Sequence, residues 1–277
     1  MKIGLLYICT GPYIEFFEDF FFSSERFFLP ETEKHYYIFT DGYNSIFKDT
    51  SKITVIPQHQ LYWPYAVLYK FHYFLQAQHL IQKMDYLIMT NANIKFVSQI
   101  SKTEILPSKE ENYIFGTIAP WLYKTGKLKL TEDIFENNPL SKAYIKKEKR
   151  KKYYAAGFCG GRTNEFLKMS YQIRNWIEQD LSKNIFAKWE DQAYLNKYFS
   201  EIKIKELNPS YCYPEEYEIP FSKKIIVIYK QGLKNDPLKR TYRKYLWDKK
   251  TSPPKNIFQK IRKYSIYYLI KFLKKFE

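Results

Sequence analysis

The chain has 277 residues and a formal charge of +16, from 45 Lys+Arg against 29 Asp+Glu. At 45% apolar and 27% charged residues it has the composition of a folded globular protein, and no run of eighteen apolar residues is present to span a bilayer. Three scattered cysteines, Cys9, Cys159 and Cys212, exclude a disulfide framework or a zinc site and point to the cytoplasm.

KIGLLYIC (2–9) is a continuous apolar run, as a buried parallel strand requires, and it lacks the cleavage site of a signal peptide. The spacing predicts a helix over 14–28, strands over 35–40 and 52–57, a helix over 66–82 and a strand over 85–90. That order implies an α/β domain with a mostly parallel sheet. Ligands of such sheets gather beyond the carboxyl ends of the strands, here just after residues 9, 40 and 90. The stretch 107–152 reads as irregular and closes in a basic run, KKEKRKK (146–152), taken as a solvated loop or lid. YYAAGFCGG (153–161) reads as a turn-forming glycine stretch, followed by helices over 163–180 and 190–199 and a closing strand, KKIIVIY (223–229).

From Ser222 onward, seventeen Lys/Arg against three acids carry +14, which leaves +2 on the rest of the chain. A nearly neutral body argues against a nucleic-acid partner. After Pro253-Pro254, residues such as Ile257, Phe258, Ile261, Leu269 and Phe276 fall at helical spacing among lysines. The pattern predicts a basic amphipathic helix suited to an anionic membrane surface, or one packed on the body or on a partner chain. The organisation expected is a catalytic domain over 1–230, a basic tail over 231–250 and the helix over 251–277. Aromatic residues reach 19%, which suits sugar binding, but a coding bias toward Lys, Phe, Tyr, Ile and Asn is the stronger explanation.

Nine segments, in order from residue 1 to about 230, carry a resemblance. They are YICTGPY (7–13), SSERFF (23–28), HYYIFTD (35–41), WPYAVLYKFHYF (63–74), DYLIMTNANIKF (85–96), FGTIAPWLY (115–123), YYAAGFCGG (153–161), WEDQAYLNKYF (189–199) and LNPSYCYPEEY (207–217). Together they resemble the family 6 glycosyltransferases, which include the histo-blood-group A and B transferases and α-1,3-galactosyltransferases. The resemblance implies a GT-A (Rossmann-like) fold and retaining transfer of galactose or N-acetylgalactosamine from a UDP-sugar, in α-1,3 linkage.

It also implies roles. Ile8, Cys9, Thr10 and Tyr13 would form the uridine pocket, with Lys70 at the diphosphate. Asn91-Ala92-Asn93 stands where most members carry Asp-x-Asp; asparagine offers an oxygen but no charge, so no metal cofactor is expected. Lys239 and Arg240, in the basic stretch, would then neutralise the diphosphate, or simply form a solvated face. Ala155, Ala156 and Gly157 match the donor-selecting stretch, and their small size favours UDP-N-acetylgalactosamine over UDP-galactose. Glu190, Asp191 and Gln192 match the catalytic segment, with Gln192 in place of a glutamate. Ala119 replaces an acceptor-holding histidine, while Trp121, Trp189 and Tyr211 fall where the family contacts acceptor; for Trp121 a core or lid position is the equal alternative. The expected protein adds the sugar to a galactose-ended glycan at the cytoplasmic face of the membrane. A weak or inactive sugar-nucleotide or glycan-binding relative is the alternative, because Gln192 and Ala119 both lose functional groups.

Overall fold

The computed structural model describes residues 1–61 and 64–229. The basic tail and the amphipathic helix expected over 231–277, with Lys239 and Arg240, lie outside the described residues.

Strand β1 (Lys2–Ile8) is buried along almost its whole length, because β2 (Glu33–Thr40) and a later strand, β4 (Tyr86–Thr90), pair with it in parallel on either side. Between β1 and β2 runs α1 (Phe17–Phe27), entered through a 3-10 turn over Gly11–Phe16. Phe17, Phe20, Phe21 and Ser24 recur at helical spacing and form its buried face, with Phe20 stacked on Tyr7 at 4.2 Å. Burying each phenylalanine contributes about 1.5–3 kcal/mol. Glu18 and Asp19 at its start and Arg26 at its end suit the helix dipole. A short helix, α2 (Ile46–Asp49), leads to the edge strand β3 (Ile53–Pro57).

The helix expected over 66–82 is three pieces: α3 (Tyr65–Leu68), α4 (Lys70–Gln76) and α5 (Gln78–Ile81). At Tyr69 and Ala77 the backbone leaves helical values, with ψ of 8° and 10°, while bonds such as Tyr73 N–H to Tyr69 O (3.1 Å) carry across the breaks. Hydrophobic spacing survives such bends, so the sequence pattern does not show them.

After β4 come β5 (Ile94–Phe96), α6 (Lys102–Ile105) and β6 (Ile114–Ile118). The glycine stretch is not a turn. It is strand β7 (Tyr154–Arg162), central in the sheet and antiparallel to both β4 and β6. Gly160 and Gly161 serve close approach: a Cβ would lie 2.5 Å from Leu87 O at the first and 2.4 Å from Tyr113 O at the second. Helix α7 (Thr163–Ser182) buries Phe166, Met169, Ser170, Ile173 and Ile177 along one stripe, and α8 (Glu190–Phe199) packs beside it. Strands β8 (Lys205–Leu207), β9 (Tyr213–Pro214) and β10 (Ile225–Val227) complete the described body.

Among the described residues, seven strands form one sheet in the order β3-β2-β1-β4-β7-β6-β8. The closing strand joins a separate sheet, β5-β10-β9, in which β10 is antiparallel to β5. The basic run 146–152 is only partly the solvated loop expected from its charge. Arg150 is buried, donates from Nε to Ile145 O (2.8 Å) and from Nη2 to Glu136 O (3.3 Å), pairs with Glu132, and lies over the Phe135 and Tyr144 rings. It is the clamp on which the irregular segment folds.

Candidate functional site

Strand β1 ends at the half-buried Ile8, and the next residue, Cys9, is fully buried, its N–H bonded to Phe39 O at 2.9 Å and its carbonyl accepting from Thr40 Oγ1 at 2.8 Å. Burial pushes the Cys9 thiol up to about 12, so it packs and does not react. Half-buried Thr10 and Tyr13 open the turn that follows. Gly11, at φ +57°, lets its N–H reach Asp41 Oδ1 at 2.7 Å, and Asp41 Oδ2 accepts from Gln60 N–H at 3.0 Å. Asp41 thus ties the loops after β1, β2 and β3 together.

Asn91, Ala92 and Asn93 follow the carboxyl end of β4. The Asn91 N–H donates to Gly157 O at 2.8 Å, and buried Ala92 accepts from the Tyr7 hydroxyl at 2.8 Å. Asn93 is 2% exposed and donates from Nδ2 to Ile228 O at 2.6 Å, while its Oδ1 has no hydrogen-bond partner among the described residues. A carboxylate could not make that bond, since it has no proton to give Ile228.

Strand β7 breaks register against β6 between Gly116 and Thr117, so Ala156, Gly157 and Phe158 form a bulge. Site residues take up its freed backbone groups. The Ala156 N–H donates to Gln192 Oε1 at 3.2 Å, and Lys70 Nζ donates to Ala156 O at 3.3 Å. Phe158 O accepts from Thr117 Oγ1 at 2.8 Å. Lys70 also pairs with Asp191 at 2.7 Å, with side chains only 12% and 7% exposed. Ala155 is buried in the same strand, and a Cβ on Gly157 would stand 3.0 Å from Asn91 Nδ2 and 3.4 Å from Cys212 Sγ. Helix α8 supplies Gln192 and Asp191 from its first turn. Trp189 and Glu190 precede them at φ +68° and +48°, two consecutive left-handed residues without a glycine, the kind of strain that collects at functional sites.

The acceptor candidates differ from one another in burial and contacts. Trp121 is 39% exposed, with its ring edge-on to Tyr153 at 6.4 Å, whereas Ala119 is buried. Tyr211 is buried, stacked on Phe158 at 6.4 Å with its hydroxyl on Glu104 Oε1 at 3.1 Å, so its contacts here are those of a packing residue. Partial burial pushes the Glu104 carboxyl up, but Lys224, the Ser101 N–H and hydroxyl, and Tyr211 outweigh it and hold it down to about 2. Sequence reasoning did not single out Asn196, Thr117 or Glu104. For Asn196 a signal existed: it lies four residues after Gln192, on the same helix face.

A mostly parallel sheet with this polar cluster beyond its carboxyl edge fits a GT-A-like sugar transferase. The sequence profile of Glycosyltransferase family 6 matches residues 1–240, and the chain belongs to that family; it is a hexosyltransferase. It is 34% identical over 228 residues to the O-antigen biosynthesis glycosyltransferase WbnI of Escherichia coli, covering 82% of this chain and 94% of that one. It is 27% identical to histo-blood group ABO system transferase 1 of Rattus norvegicus, over 77% of this chain and 61% of that protein. With globoside alpha-1,3-N-acetylgalactosaminyltransferase 1 of Homo sapiens it shares 23% over 82% of this chain and 65% of the relative. The chain thus spans less than two thirds of those two mammalian relatives.

Proposed function

We propose that the enzyme transfers N-acetylgalactosamine from UDP-N-acetylgalactosamine, with retention and in α-1,3 linkage, to a glycan ending in galactose, without a divalent metal. The observation that carries the reading is the convergence of Asn91, Lys70 and Gln192 on Ala156 and Gly157 in the bulge next to Ala155, with Asp191 held there by Lys70. Uridine would lie over Ile8, Cys9 and Thr10 with Tyr13 against the base, a stack worth about 1–3 kcal/mol.

Divalent cations are held chiefly by carboxylate and phosphate oxygens. Asn91 and Asn93 supply none, Asn93 is engaged with Ile228, and the Asp191 carboxylate faces Lys70. The residues present do not fit Mn²⁺ or Mg²⁺, and no step is routed through either. Charge for the leaving diphosphate falls to Lys70, with Lys239 and Arg240 of the basic stretch as further candidates from the sequence. Gln192 has no carboxylate with which to form a glycosyl-enzyme bond. Retention then follows from delivery on one face: the bond to UDP breaks, the Gln192 carbonyl dipole and Asp191 steady the oxocarbenium-like centre, and the acceptor hydroxyl adds where UDP departs, its proton passing to the phosphate. Glu190 is the alternative catalytic carboxylate.

Alanine, alanine and glycine beside the sugar suit an acetamido group. UDP-galactose is the second reading, favoured by the Asn91 amide and Cys212 already filling the Cβ direction of Gly157. The acceptor side lacks the family histidine at Ala119 and offers Trp121 as a stacking face, with Trp189 and Tyr211 as the other expected contacts. Its place would be the inner face of the cell membrane, where lipid-linked glycans are built, reached through the basic and apolar residues spaced along 251–277. Incubation of the full chain with each UDP-sugar and galactose-ended acceptors in EDTA, followed by proton NMR, tests this. An α-linked product with UDP-N-acetylgalactosamine preferred is expected; no product, or product only after manganese is added, overturns it.

A further inference from the structure

Strand β4 stops pairing with β7 at Thr90, opposite Phe158, and beyond the Asn91 N–H bond to Gly157 O one side of residues 154–156 has no neighbouring strand. Helix α8 fills that side with two amides, Gln192 at Ala156 and Asn196 at Tyr154. Asn196 Oδ1 accepts from the Tyr154 N–H at 2.7 Å, and its Nδ2 donates to Tyr154 O at 2.8 Å, so the amide stands in for the missing strand. The same Nδ2 donates to Gln192 O at 2.8 Å, one helical turn back. Asn196 is 3% exposed and touches both the strand that carries Ala155–Gly157 and the turn that carries Asp191 and Gln192.

We propose that Asn196 is a positioning residue for donor selection: it docks α8 on β7 and thereby sets the spacing between Gln192 and the Ala156–Gly157 backbone. The inference rests on the donor-site reading above. The chemistry requires a side chain that accepts and donates at once along one strand edge, which an amide does. Without it, the start of α8 is still tied to β7 by the longer Gln192–Ala156 bond at 3.2 Å and, indirectly, by Lys70, which reaches both Asp191 at 2.7 Å and Ala156 O at 3.3 Å. A shift of a few tenths of an ångström there changes the room beside the donor sugar before it unfolds the helix.

Asn196→Ala and the milder Asn196→Ser test this in the full chain. Amide hydrogen exchange over residues 153–158 is read without any donor, and kcat and KM are measured for UDP-N-acetylgalactosamine and UDP-galactose alongside the urea midpoint. Expected are at least tenfold faster exchange at Tyr154 and Ala156 and at least a fivefold change in the kcat/KM ratio of the two donors, with Ser less affected than Ala. A residue that only stabilises the fold would lower the folded fraction, scale both donors equally and leave their ratio and KM values unchanged. That outcome, or unchanged exchange at Tyr154 and Ala156, overturns the proposal. If the unaltered enzyme turns over neither donor, the functional reading fails and donor selection with it, while the exchange data still decide whether Asn196 docks α8.

Discussion

Around the β7 bulge, the backbone groups that the sheet leaves unpaired are taken by Asn196, Gln192, Lys70, Asn91 and Thr117. Around Trp121 the chain instead presents one exposed ring and a lysine-rich loop, held by Gly126 N–H to Tyr123 O at 2.8 Å and Lys129 N–H to Leu122 O at 2.7 Å. The first region is shaped before any ligand arrives, and each substitution there disturbs several partners. The second has few internal partners to lose, so changes in it register in binding and hardly in folding. Preorganisation of this kind lowers the ordering cost of binding.

Four single substitutions, one of them also combined with a second, probe that contrast, in falling order of effect. Lys70→Ala leaves Asp191 as a buried carboxylate without its cation, which costs about 3–5 kcal/mol and is read from the urea midpoint. Gly157→Ala pushes a Cβ against the Asn91 amide and costs about 1–3 kcal/mol as overpacking. Adding Asn91→Ala should relieve that cost, and a double-mutant cycle with no coupling would show that the two sides of the bulge do not press on each other. Glu104 holds the hydroxyl of Tyr211, whose ring stacks on Phe158. Its folded pKa of about 2 lies under the ordinary carboxylate value of 4.5, so its stabilisation is complete above about pH 4.5 and fades as pH falls toward 2. Glu104→Gln should flatten that limb of the stability profile. Trp121→Ala should alter folding stability by less than about 0.5 kcal/mol, as exposed positions do, while raising acceptor KM several-fold and leaving donor hydrolysis unchanged.

Much of the fold was legible where local pattern decides it. β1, β2 and β4 stand out as apolar runs, and α7 and α8 start where their spacing says they do. The glycine stretch misled because glycines mark turns locally, whereas Gly160 and Gly161 here answer to Leu87 and Tyr113, some 70 and 50 residues distant along the chain. Arg150 looked solvated among its lysines because its carbonyl partners at Ile145 and Glu136 carry no sequence signature. Motif resemblance named the candidate donor residues, whereas the meeting of Lys70, Asn91 and Gln192 depends on the bulge, a property of register between β6 and β7 that neither strand shows alone.

The proposal that protein cations, and no divalent metal, neutralise a nucleotide bound between Asn91 and the β7 bulge meets its sharpest test in isothermal titration of the full chain with UDP in excess EDTA. Saturable binding whose affinity manganese does not improve is expected. Heat of binding that vanishes in chelator and returns with manganese would overturn the proposal.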